Sequence, residues 1–254
     1  MNWRWNSLVL LCLFGLSGCF FAQLEDPNEI QGVEYIDAKV MQRNVAQAHF
    51  ILGQRVKKGE ITEEQKNQMI LELVQKIAGY VNVSSVPNDD AWRFADLFRQ
   101  AGELDVARRL YERAVQHAAD ADRKVNDTLQ LARVMAMQGD VDEAIQVGES
   151  TFSATPKEKA PILMAALYEI YPAGEGKGKD VELAIFLEKA IEQHMLVEVD
   201  EQSEAGMAFL QASDVHTTKA WDIVLRVFAN EGRDDLFKAA MAQREKLEAK
   251  AGKV

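Results

Sequence analysis

Residues 90–116 read DAWRFADLFRQAGELDVARRLYERAVQ, and their spacing decides the fold. Trp92, Ala95, Phe98 and Ala101 recur in steps of three, which keeps their side chains on one stripe of an α-helix. Gly102 breaks the pattern, and Ala107, Leu110, Tyr111 and Ala114 restart it at spacings of three and four. Two apolar stripes on either side of a short turn predict a helical hairpin. Small side chains at Ala95 and Ala107, beside bulky ones at Phe98 and Tyr111, are what two close-packed antiparallel helices require.

The rest of the chain follows the same grammar. Of 254 residues, 48% are hydrophobic, which excludes wholesale disorder and allows a core of ordinary size. Only five prolines are present and no alternating strand pattern persists, so the expected fold is all-α. Forty acidic against 29 basic residues give a net charge of −11, and such a surface repels nucleic-acid phosphate. The two cysteines, Cys12 and Cys19, both fall in the first twenty residues, so the body of the chain has no thiol for a disulfide, a zinc site or a nucleophile.

In Phe94, Ala95, Phe98, Gly102, Ala107, Tyr111 and Ala114 the opening stretch resembles a tetratricopeptide (TPR) unit, with Ala119 near the place of the usual closing proline. Leu131, Ala132, Met135, Gly139, Ala144 and Pro156 repeat the spacing after the polar connection ADADRKVND. Gly102 to Gly139 is 37 residues, about three beyond the family period. The second unit departs at Gly148 and Thr151, where an aromatic residue and an alanine are usual, so its second helix is expected to pack loosely. The resemblance implies an array of antiparallel helical hairpins, a TPR-like α-solenoid.

Outward from these two units, Val40, Met41, Val45, Ala48, Leu52 and Val56 predict a first helix from about Tyr35 to Lys57. Gly59 ends it, and Thr62 with Gln65 forms a capping-box pattern before Met69, Ile70, Leu73, Ile77 and Val81. On the C-terminal side, Ile162–Tyr171 and Val181–Ile191 form a third apolar pair, with Ala165, Tyr168, Ala184 and Leu187 inside. The intervening GKGKD, with Ala184 and Lys189-Ala190, also resembles Sel1-like repeats. Residues 197–217 are mostly polar, with a short apolar helix near Met207–Leu210, and Trp221, Leu225, Phe228, Gly232, Phe237 and Met241 restate the hairpin before a lysine-rich capping helix.

At the N-terminus, MNWRWNSLVLLCLFGLSG has one basic residue, Arg4, and an apolar run from Leu8 to Leu16, too short for a membrane span of about twenty residues. Leu16-Ser17-Gly18-Cys19 resembles the bacterial lipobox. That resemblance implies cleavage before Cys19, a diacylglycerol on its thiol and an acylated new amino terminus. Two or three acyl chains, at about 0.8 kcal/mol per buried methylene, anchor durably where one does not. The segment equally accommodates an ordinary signal peptide cut near Ala22 or an uncleaved apolar anchor. Phe20 after the cysteine implies, by the rule of enteric diderm bacteria, an outer-membrane lipoprotein facing the periplasm. The expected organisation is a signal peptide (1–18), a lipid-anchored tether (19–34), an N-terminal helical pair (35–84), two TPR-like repeats (85–158), then divergent helical pairs and a capping helix (159–254).

Candidate chemistry is sparse. The glycine-lysine loop lacks the G-x-x-x-x-G-K-[ST] spacing, and Asp180 stands where a hydroxyl is needed, so it reads as an interhelical connection. His49, His117, His194 and His216 are each isolated, Arg123 and Lys124 break the calcium-loop pattern begun by Asp120 and Asp122, and neither a metal nor a cofactor is expected. The resemblance instead points to the concave face, lined by the first helix of each hairpin at Trp92, Asp96 and Arg99, then Leu129, Arg133 and Ala136. An exposed Trp92 beside arginines would be an interface anchor; a core position for it fits the sequence equally. The expected function is an envelope adaptor that binds a protein partner through this groove and the membrane through lipid on Cys19. The alternatives are a binding protein for a small molecule or glycan and a hydrolase using dispersed carboxylates.

Overall fold

The computed structural model describes residues 36–251, and the signal segment, Cys19 and the tether lie outside the described residues. Every regular element among the described residues is helical. The chain divides into two compact units, Met1–Glu103 and Leu104–Val254. The division falls in the turn that follows Gly102.

In the first unit α1 (Ala38–Lys57) begins at Asp37, whose carboxylate accepts the N–H groups of Lys39 and Val40 at 2.8 and 2.9 Å. These bonds occupy two of the four N–H groups that a helix start leaves without partners. Met41, Val45, Ala48 and Leu52 are buried along its inner stripe, and Gly59 closes it with φ +70°. The capping box at α2 (Glu63–Ala78) is present in both directions. Thr62 N–H donates to Gln65 Oε1 at 2.9 Å, and Gln65 N–H donates to Thr62 Oγ1 at 3.2 Å. α3 (Ala91–Gln100) starts without a side-chain cap, because Asp90 directs its carboxylate to Arg93 at 2.7 Å. α1 packs on α2 and on α3, and α2 packs on α3.

The second unit runs through α4 (Leu104–Gln116), α5 (Ala121–Gln138) and α6 (Val141–Ser150). α5 packs on both neighbours. Ala132 and Ala144, the small residues expected at the crossing, are wholly buried, as is Ala107. Gly139, at φ +95°, sends its N–H and that of Asp140 back to the carbonyls of Ala136 and Met135, a left-handed helix stop that suits glycine. Arg108 of α4 clips this turn, reaching Asp140 and Glu143 at 2.8 Å each.

Next come α7 (Ala160–Ala165), a π-helical turn (Ala166–Ile170) and α8 (Tyr171–Gly174), followed by α9 (Asp180–His194), α10 (Glu204–Asn230) and α11 (Asp234–Ala251). α5 also packs on α7 and α8, α6 packs on α9, and α9 packs on α10. Thus within this unit a helix touches both the next one and the one after it.

Three expectations change. The loose packing expected at Gly148 is absent, because the Phe186 ring of α9 fills that space: a Cβ on Gly148 would lie 2.8 Å from Phe186 Cζ, and Phe152 stacks on the same ring with centroids 5.9 Å apart. The short helix near Met207–Leu210 and the helix holding Trp221 are one 27-residue element, α10. Tyr168, expected inside the third apolar pair, is 38% exposed. The cause is Pro172, which has no N–H and whose ring crowds the carbonyl four residues back. The backbone widens into a π turn at 166–170, and the α-helical stripe loses register there.

Candidate functional site

The described cavities share a placement, between a helix and the second helix after it. In the first unit α1 and α3 enclose about 330 Å³ between Met41, Val45, His49, Arg93, Asp96 and Leu97. In the second, α5 and α7 border about 280 Å³ at Asn126, Leu129, Gln130, Met164, Ala165 and Tyr168. A third cavity, about 450 Å³, lies between the π turn with α8 and the middle of α10, lined by Tyr168, Tyr171, Pro172, Lys219, Asp222 and Arg226 among others. Tyr168 belongs to both of the last two and forms the ridge between them.

The largest cavity has an apolar floor and a charged rim. Leu167 and Tyr171 are buried beneath it, with Pro172 and Ile223 beside them. The Tyr171 hydroxyl donates to Glu175 at 3.0 Å. Burial first, and the Glu175 carboxylate second, push its pKa up to about 12, so it remains a donor through the whole neutral range. Arg226 stands 3.6 Å from Glu175, and Arg244 stands 3.7 Å from Asp222, so both rim carboxylates are tied to arginines. The Lys219 ammonium sits over the Tyr168 ring, 4.3 Å from its centroid. The Tyr168 hydroxyl lies 3.0 Å from His216 Nδ1.

Behind this wall His194 is buried at 4% exposure, with Nε2 2.8 Å from Ser213 Oγ and Nδ1 lacking a hydrogen-bond partner. Burial, with a smaller contribution from His216, lowers its pKa to about 4. The ring is therefore neutral at pH 7 and packs on Phe209 with centroids 4.8 Å apart.

The six residues expected to line a groove fall into three groups. Asp96 lines the α1–α3 cavity, while its carboxylate is bonded along its own helix by Arg99 and by Gln100, the latter at 2.8 Å. Trp92 is half-buried and carries the Arg93 guanidinium 4.2 Å from its ring centroid. Leu129 and Ala136 are buried, at 1% and 0% exposure, so their side chains offer almost no surface to a partner. Arg133 lies 3.6 Å from Glu169, which also accepts from Gln130, linking α5 to the π turn. Lys219, Asp222 and Arg226 are absent from that set. Their signal was a charged stripe at spacings of three and four on the helix whose opposite face holds Ala220, Trp221 and Val224.

The glycine-lysine loop is a structural connection. Lys177 Nζ donates to the carbonyls of Ala136 and Met137 at 2.6 and 2.7 Å, Lys179 pairs with Asp142 at 2.8 Å, and Gly176 N–H donates to Asp180. Asp120 caps α5 through Arg123 N–H at 2.7 Å. Among the described residues no three His, Cys, Asp or Glu side chains converge on a metal-sized site, and no helix is long and apolar enough to cross a membrane. Comparison with protein-family models, with curated proteins and with solved structures finds no match for this chain.

Proposed function

We propose that the chain is a lipid-anchored, TPR-like adaptor of the bacterial envelope that binds a protein partner along the face carried by the first helix of each hairpin. The carrying observation is the repeated position of the cavities, which lie between α1 and α3 in one unit and between α5, α7–α8 and α10 in the other. A hairpin array leaves its concavities between alternate helices, and a partner helix or extended segment docks there. Gly102 and Gly139, both with positive φ, end the first helices of the two units that resemble TPR repeats, which supports the same reading. Cys19 supplies the anchor through its lipobox, at an outer membrane facing the periplasm.

Met164 is the surface to test, because it is 37% exposed and lines the α5–α7 cavity. A Met164→Glu chain should lose the protein that co-purifies with the parent from detergent-solubilised membranes, whereas Gln146→Glu on exposed α6 surface should retain it. Equal retention by both variants removes the cavity face from the account.

A further inference from the structure

The cavity between the π turn and α10 has a charge balance opposite to that of the whole protein. The chain carries a net −11, yet the rim of this cavity holds Lys219 and Arg226 against Glu175 and Asp222, with Arg244 behind Asp222. The two carboxylates are matched by the two arginines. Among the described residues Lys219 has no carboxylate within ion-pair distance; its ammonium is held against the Tyr168 ring at the cavity wall. One positive charge is thus left over, above a floor of Leu167, Tyr171, Pro172 and Ile223.

We infer that this cavity binds a small apolar monocarboxylate, its flat or branched body on the Leu167–Tyr171–Pro172–Ile223 floor and its carboxylate at Lys219. The volume, about 450 Å³, falls within the range of roughly 300–1,000 Å³ that small-ligand sites occupy. A single surplus cation suits a monoanion; a phosphate dianion would need a second cation or a set of convergent backbone N–H groups. The Tyr171 hydroxyl is committed to Glu175, so the floor presents ring face and not a polar group. A π turn beside the site is in keeping, since such turns recur where a helix is reshaped for function. This binding is separate from the adaptor reading and stands or falls without it.

Isothermal titration of the full-length chain in detergent with N-acetyl-L-phenylalanine and with its carboxamide tests the inference. The acid is expected to bind saturably, the amide at least tenfold more weakly, and Lys219→Met to reduce acid affinity by about tenfold while leaving the fold intact, since Lys219 is exposed. Equal affinity for acid and amide, no saturable binding of the acid, or an unchanged affinity in Lys219→Met would each overturn it. A decapeptide ending in phenylalanine presents the same carboxylate. Tighter binding of that peptide by tenfold or more assigns the group to a chain end, equal affinity assigns it to a free acid, and both outcomes support the site. Partner capture at Met164 is a different readout, so the two proposals fail separately.

Discussion

Gly148 and His194 show how single residues set the limits of this fold. Gly148 leaves room for the Phe186 ring, and a methyl group there would meet ring atoms at 2.8 and 3.0 Å. Gly148→Ala should cost about 1 to 3 kcal/mol by overpacking, and a smaller Phe186→Leu partner should recover part of that loss. Strictly additive melting temperatures for the single and double variants would show that the two positions do not share the space. His194 presents the complementary case of a polar group in an apolar setting. Its folded pKa of about 4 lies below the ordinary 6.5, so the folded state resists a proton that the unfolded chain accepts. Its contribution is whole above pH 6.5 and is lost as pH falls toward 4, on the order of 3 kcal/mol. The difference in unfolding free energy between the parent and His194→Gln should shrink by that amount over the same window; a constant difference would contradict the burial argument.

At the scale of the element, legibility depended on whether a residue acts on its neighbours or on distant chain. Caps and turns were readable because they are local: Thr62 with Gln65, and Gly139, act within four residues of themselves. The hairpin pattern of 131–144 was readable because α5 and α6 bury small residues at helical spacing. The π turn was not, because Pro172 announces a break without saying whether the helix stops or widens. Its consequence was the misplacement of Tyr168, the residue that separates the two cavities of the second unit. The cavity rim escaped for the same reason, since Lys219 and Glu175 are brought together only by the packing of α10 near α8. Lys177 is a further long-range case, a loop residue that satisfies the end of α5. Lys177→Met should remove roughly 1.5 to 3 kcal/mol of charged hydrogen bonding and speed amide exchange in the last turn of α5. Unaltered exchange at 135–140 would mean that solvent replaces the ammonium without loss.

For the whole molecule, the account joins an anchor to a binding face. Without residues 1–18 the chain keeps 28 basic and 40 acidic residues, a net −12, so neither a nucleic acid nor an anionic lipid surface is a natural partner for the body. Membrane attachment would therefore depend on Cys19, and Cys19→Ala should abolish both fatty-acid labelling and membrane fractionation; a variant that still sediments with membranes would refute the lipid anchor. The central claim is that a protein partner occupies the cavity face. The measurement that tests it most directly is in-cell photo-crosslinking with p-benzoylphenylalanine placed at Met164, in the α5–α7 cavity, or at Gln146 on the exposed surface of α6. The account predicts one discrete adduct from Met164 and none from Gln146. The same adduct from both positions, or from neither, would contradict it.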